Sequence, residues 1–447
     1  MSVFLLGIVP SGCASRVSHD SFVVQTEPPQ IFTAIPVSTV TLEPVIAEPV
    51  LLQVPQTKIF VTYPNLDGNR VVEGAGFDAD NPVDIPLMGK PVWVVAAALD
   101  ENSVWYVVLE TGQVQAFQVQ AGLVTEVQFN KPDLPPGMPP VLVSLDEVPT
   151  GILQPVADAA VYTNPLLYKD GFVVHVRQDG YLSIAGREGD IVLPIDVLPD
   201  ARILSDGADR LMFLSNPSDS YAHGIMGDDL EATAITILDT SVRPAASQEI
   251  NIAPDDVIEG IAPIWVDMNG DGRREIIVTQ SNAIEGSRIV VYREDGSVLA
   301  EGASIGQGFR WIHQVAVGQF VAGGSLEIAT VRTPHIGGVV EIYTLEGDQL
   351  VVVDSLSGYS SHRIGSRNLD SALAGDFDGD GMIELVVPDQ AQTVLYGVQF
   401  SGEHLDPVWN VALGGRLNTN LAGVELADGR LALGAGTEDH LLRIWIP

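Results

Sequence analysis

Asp376, Asp378 and Asp380 alternate along the chain, Gly379 and Gly381 stand between and after them, and Glu384 follows four positions beyond Asp380. A hard divalent cation takes about six to eight oxygen ligands, and alternate carboxylates on a glycine-relaxed loop can fold around one. Asp267, Asn269, Asp271 and Glu275 repeat the pattern, with Gly270 and Gly272 in the matching places. In both loops the seventh residue, Arg273 or Met382, can contribute only its backbone carbonyl. An EF-hand would carry its bidentate glutamate at the twelfth position, between two helices. Here that position holds Val278 or Val387, and the acid comes at the ninth. The chemistry expected is Ca²⁺ binding by two loops of another kind. A weaker third copy runs through Asn65, Asp67, Asn69 and Glu73, but Arg70 replaces the second glycine. That favours a bare turn there over a third cation site.

These loops must be held by strands. Ala372–Ala374 and Ile383–Val387 flank one loop, and Ile276–Val278 follows the other, as short apolar runs. From Pro91 onward such runs recur between Asp-, Asn- and Gly-rich turns, and helical periodicity is nowhere sustained. Glu275, Glu327 and Glu384 align, separated by 52 and 57 residues. The loop before Glu327, from Gly318, has the same length but none of the ligands, and Ala422–Gly434 is a further ligand-free copy, one residue shorter. Counting on from Pro91 gives about seven units of roughly 40 to 60 residues, a period that means blades or a solenoid.

The sequences Asp267-Met-Asn-Gly-Asp-Gly-Arg-Arg-Glu275 and Gly375-Asp-Phe-Asp-Gly-Asp-Gly-Met-Ile-Glu384 resemble the calcium loops of FG-GAP (VCBS-type) repeats. Those repeats build β-propellers such as the integrin α-subunit head. The resemblance implies an all-β fold, a single propeller of about seven four-stranded blades over residues 58–447, with Ca²⁺ in the two loops. The last unit shows three strands, ending at Trp445, so the fold needs a fourth from elsewhere. Lys58–Tyr63 is the free strand expected to close the ring at the N-terminal side.

Composition limits the partners. The chain has 447 residues, 22 Lys and Arg against 58 Asp and Glu, and a net charge of −36. That field repels nucleic acid and anionic lipid, so a nucleic-acid partner is excluded. The single cysteine, Cys13, rules out a disulfide framework. Residues 1–13 resemble the end of a bacterial lipoprotein signal, with Cys13 the acylated residue, although Pro10 and the lack of preceding Lys or Arg depart from it. Residues 14–57, rich in Pro, Thr and Val, read as an extended tether. The expected location is therefore outside the cytoplasm, with membrane contact through a lipid anchor alone.

No catalytic motif stands out: the chain lacks a Gly-x-Ser-x-Gly elbow, a His-Glu-x-x-His run and a phosphate-binding Gly-Lys-Ser/Thr. In a propeller, residues just before each blade's first strand ring the channel mouth on the face opposite the metal loops. Here these are Arg310 and His313, then Arg367 and Asp370, then Arg416, Asn418 and Asn420. They are either struts between blades or a pocket for an acidic or polyhydroxylated ligand. The function expected is a binding or adhesion module for glycan or protein. The alternatives are an envelope-assembly scaffold lipoprotein and an enzyme, such as a calcium-dependent polysaccharide lyase or a quinone-dependent dehydrogenase. A lyase would draw on His313 with Arg310 and Arg367.

Overall fold

The structure, a computed structural model, describes residues 38–41, 57–60 and 65–447, except 129, 146, 147, 187, 188, 243 and 244. Cys13 and most of residues 14–57 lie outside the described residues; within that span Ser38–Thr41 pairs with the outer strand Ala246–Asn251.

The fold is all-β, a β-propeller assembled from antiparallel four-stranded meanders in chain order. Ile312–Gly318, Glu327–Arg332, Val339–Glu346 and Gln349–Ser357 form one such blade. Ile264–Val266, Glu275–Asn282, Gly286–Arg293 and Val298–Glu301 form the one before it. Leu373–Asp376, Glu384–Pro388, Val394–Phe400 and Leu405–Ala412 form the one after. Burial grades outward through each. Ile312–Gly318 and Glu384–Pro388 are buried along their whole length, whereas Leu405–Ala412 is largely exposed. A strand covered on both faces is mostly apolar and does not alternate, and the polar groups it does bury, such as His313, Gln314 and Glu384, are hydrogen-bonded. Neighbouring blades pack closely: a Cβ on Gly434 would sit 2.1 Å from the Trp105 ring, so only glycine fits there.

The expectation about ring closure at the N-terminal side is corrected. The fourth strand of the last blade is Pro82–Pro86, paired with Leu441–Trp445, and not Lys58–Tyr63. Thr57–Phe60 pairs instead with Leu142–Leu145 in a three-stranded sheet. Proline at both ends of Pro82–Pro86 suits an edge, where no neighbour needs its missing N–H.

Residues 65–77 take a path the sequence did not suggest. Their backbone meets one blade after another: Leu66 O accepts from Ser205 N, Asp67 O from Trp265 N, and Arg70 O from Ala374 N. Val71–Ala75 then lies parallel to the inner strand Leu373–Asp376, and Gly76 O accepts from Leu431 N. The segment thus ties together the inner strands of successive blades.

Candidate functional site

Each calcium-type loop is organised by its own backbone. Asp376 accepts from the amides of Gly379 (2.8 Å) and Gly381 (3.1 Å), Asp378 from Asp380 N, and Asp380 from Met382 N. The turn needs Gly379 and Gly381 at φ of 78° and 90°, conformations that side chains with a Cβ rarely adopt. Glu384 opens the next strand, is fully buried, and accepts from Phe377 N at 2.7 Å. The four acids Asp376, Asp378, Asp380 and Glu384 each bring a carboxylate oxygen within 4.8 Å of the others. Among the described residues none of them is ion-paired. Burial first, and then the Asp378 carboxylate, push Glu384 up to about 8. Asp378 too lies above its ordinary range, chiefly through burial. Oxygen-only donors, crowded negative charge and a sharp loop fit a calcium ion.

The first loop has the same hydrogen-bond ladder. Asp267 accepts from Gly270 N and Gly272 N, Asn269 from Asp271 N, and Asp271 from Arg273 N. Glu275 accepts from Met268 N and from the Asn269 side chain. Its carboxylates do not gather as tightly as those of the second loop, the one acidic group so assembled among the described residues. Glu327, in the ligand-free copy, keeps the structural half of the role: it is buried and caps Val321 N and Ser325 Oγ. The third copy does other work. Asn69 is buried and clamps Val317, donating to its carbonyl and accepting from its amide. Asp67 accepts from Asn69 N, while Glu73 is exposed on the strand Val71–Ala75.

The residues expected at the channel mouth divide three ways. Asp370 is buried between two guanidiniums, 2.7 Å from Arg70 Nε and 2.6 Å from Arg202 Nη2. Burial would raise its carboxyl, but Arg202 and Arg70 outweigh burial and hold it below the usual range. Arg367 is a strut: it pairs with Asp200 at 3.1 Å and with Asp228, and lies 3.9 Å over the Tyr162 ring. Asn420 clamps Val94 of the neighbouring blade in both directions, and Asn418 joins Arg363 to Pro91 O. His313 is buried, stacked on Trp311 at 4.8 Å and hydrogen-bonded to Ser361 Oγ. Arg310 and Arg416 are exposed, with no ion pair among the described residues. Of the two readings, strut or pocket, Arg367, Asp370, Asn418 and Asn420 make the contacts of struts, whereas Arg310 and Arg416 do not.

A different cluster occupies this face. Tyr221, His223 and Phe309 group their rings at centroid distances of 5.2–6.0 Å. Trp311 follows, with His335 at 6.1 Å and His362 at 5.2 Å. His223 Nδ1 donates to Glu259 Oε1 at 2.5 Å, and Ser281 Oγ donates to Glu259 Oε2. The short strand Val257–Ile258 sets this up. It pairs with Glu231–Asp239 on one side and Glu275–Asn282 on the other, carrying buried Glu259 between them. A sequence signal was present: Tyr221-Ala-His223 and Phe309-Arg-Trp311-Ile-His313 place aromatic and imidazole groups at alternate positions. On loops at the same ends of their strands, Met88, Leu230, Ile284, Phe309, Ile336 and Ile364 are exposed. Among the described residues no helix is long and apolar enough to cross a membrane.

No protein-family model matches the chain, and no curated protein does. Among solved structures it is similar to a chain of the mitotic checkpoint complex, at 13% identity and a TM-score of 0.40, covering 81% of this chain and 93% of that one. It is also similar to BamB from Moraxella catarrhalis, at 11% identity and a TM-score of 0.39, with 89% and 98% covered. A third is a catalytically inactive virginiamycin B lyase from Staphylococcus aureus with quinupristin, at 11% identity and a TM-score of 0.41, with 82% and 99% covered. Likenesses this distant say nothing about what this chain binds.

Proposed function

We propose that this chain is an exported calcium-binding propeller that serves as a binding module, offering the face around Phe309 and Trp311 to a protein or glycan ligand. The carrying observation is the convergence of Asp376, Asp378, Asp380 and Glu384 within 4.8 Å without a basic partner among the described residues. Like charges so close repel strongly unless a cation sits among them. The bound ion would hold one end of the inner strand Leu373–Asp376 and so brace the blade whose other end borders the ligand face. Its part is structural, and no reaction step is assigned to it.

The exposed apolar residues favour a protein over a glycan as the ligand. Ile336 and Ile364, on loops at the same ends of their strands, are 77% and 66% exposed, and large apolar side chains held in water suit a protein surface better than a sugar. Cys13 would anchor the chain to the envelope by acylation, a role supported by the apolar run before it. Calorimetric titration of the metal-stripped protein with CaCl₂ tests the metal reading; absence of binding at millimolar calcium would refute it. A protein pull-down from envelope extracts, set beside a glycan array, tests the ligand class.

A further inference from the structure

We propose that the outer edge of Ala246–Asn251 is a strand-acceptor site, filled within one chain by Ser38–Thr41 and, by exchange, by Ser38–Thr41 of a second copy. The inference concerns the rim of the fold, and it depends neither on calcium nor on the face around Phe309 and Trp311.

The pairing itself is the first observation. Ser38, Thr39, Val40 and Thr41 lie opposite Glu249, Gln248, Ser247 and Ala246 in an unbroken antiparallel register. The blade already has its four strands: Leu204–Ser205, Arg210–Ser218, Glu231–Asp239 and Ala246–Asn251. Ser38–Thr41 is therefore a fifth strand, brought from far along the chain. Thr39, Val40 and Thr41 are β-branched, which suits a strand. Pro36 and Pro44 bracket the segment and limit how far the pairing can run.

The second observation is how this edge differs from the other outer edges. An open edge pairs with any extended chain, and proteins blunt it with proline, with bulges or by keeping it short. Gly189–Asp196, Val298–Glu301, Gln349–Ser357 and Leu405–Ala412 each slip register against the strand inside them. Pro82–Pro86 carries proline at both ends, and Leu123–Glu126 has only four residues. Ala246–Asn251 has none of these devices. It pairs with Glu231–Asp239 from Ala246 to Asn251 without a slip, a proline or a lysine. It is also held from within, because Ile250 is buried in the core and the Gln248 amide donates to the Glu294 carbonyl. A regular, rigid and unblunted edge is the form that accepts an added strand.

The occupant in trans follows from the occupant in cis. A second copy offers the identical segment, and the same register forms reciprocally between two chains. Ser38–Thr41 is uncharged, so in a chain of net charge −36 it brings no added repulsion to the contact. Residues 42 to 56 separate Thr41 from Thr57, where the chain next pairs with Leu142–Leu145. A stretch of that length spans up to about 50 Å, enough for the segment to leave its own edge for a neighbour's. A tether of this kind gives the cis segment an effective concentration on the order of 1 mM, so exchange competes as the chain concentration approaches that value.

The test is disulfide trapping in the full chain, with Cys13→Ser throughout so that no other thiol is present. Val40 and Ser247 are directly opposed, and opposed residues of antiparallel strands sit about 4.5–5.5 Å apart at Cα, within the span of a disulfide. Thr41 with Ser247, one residue out of register, is the control. Oxidised with diamide at about 10 μM, the chain carrying Val40→Cys and Ser247→Cys should close an internal disulfide about tenfold more than the chain carrying Thr41→Cys and Ser247→Cys. An equimolar mixture of Val40→Cys chains and Ser247→Cys chains can join these two positions only between copies. Its covalent heterodimer, read by mass spectrometry of the linked peptides, should rise with concentration toward about 1 mM and exceed that of the offset mixture about tenfold. Thr41→Cys with Ala246→Cys is a second matched pair, used if Ser247→Cys lowers the melting temperature. Absence of a register-specific internal disulfide would overturn the docking of the segment. A register-specific internal disulfide with no matched excess between copies at about 1 mM would overturn the exchange, and the proposal with it.

Discussion

Replacing Glu384 by glutamine separates what the carboxylate does for the fold from what it does for the ion. In the metal-free protein Glu384 is fully buried and its carboxyl is raised from 4.5 to about 8, by burial first and by Asp378 next. A carboxyl raised on folding gives stability that is complete below its unfolded value and is lost as pH climbs through its folded value. The window is therefore about pH 4.5 to 8. Each unit corresponds to about 1.36 kcal/mol, so the wild type should lose up to about 5 kcal/mol across that window in chelator. Glutamine keeps an acceptor for Phe377 N and has no charge to desolvate. Calcium acts in the opposite direction: at a tenfold excess over the dissociation constant it returns about 1.4 kcal/mol, and at a hundredfold about 2.7. Scanning calorimetry from pH 5 to 9, in EGTA and in CaCl₂, reads all four curves. In EGTA the wild-type melting temperature should fall with pH while that of Glu384→Gln stays flat, so the variant is the more stable at pH 9. In calcium the wild type should regain about 1.4–2.7 kcal/mol and the variant much less, so the gap between them at pH 9 narrows. A variant that is less stable than wild type at pH 9 in EGTA, or that responds fully to calcium, would refute the reasoning.

Asp378→Asn should reduce the calcium-dependent melting shift more than Asn269→Ala, because four converging acids bind a cation more tightly than a loop carrying three acids beside Arg273 and Arg274. Equal shifts, followed by differential scanning fluorimetry, would reverse that ranking. Asp370→Asn leaves Arg70 and Arg202 buried against a neutral amide and should cost about 3–5 kcal/mol in urea unfolding, as breaking a buried ion pair does; a loss under about 1 kcal/mol would show the triad to be relaxed by water. Cys13→Ser, expressed with an intact upstream signal, should move the protein from the membrane fraction to the soluble fraction, and retention in the membrane would remove Cys13 as the anchor.

Local chemistry was legible in the sequence, and long-range assembly was not. The two calcium-type loops could be read directly, because their ladder of side chain to backbone hydrogen bonds runs within five residues, from Asp376 to Gly381. The alignment of Glu275, Glu327 and Glu384 also held, since each opens a second strand and caps the loop before it. Strand pairing across the chain left weaker traces. Lys58–Tyr63 and Pro82–Pro86 are both short apolar stretches, and nothing local says which edge each will meet. Arg70 and Asp370 are 300 residues apart, and Asn69 and Val317 are 248 apart. A polar loop motif gives no sign that its side chains will be buried so far along the chain. For the mouth residues the sequence left a strut and a pocket both open, because the acids that would decide between them are far away in the chain. Arg367 meets Asp200 and Asp228, acids from a distant part of the chain, and becomes a strut. The imidazoles of His223, His335 and His362 meet only because three separate loops converge.

The central claim is that the second loop is a calcium site, and native mass spectrometry of the metal-stripped protein, titrated with CaCl₂, tests it most directly. Wild type and Asp376→Ala are compared at equal free calcium, since Asp376 supports two loop amides and one side of the carboxylate group. The account predicts that the variant retains one calcium fewer than the wild type while keeping a folded charge-state distribution. A wild type that retains no calcium, or a folded variant that retains as much as the wild type, would contradict it.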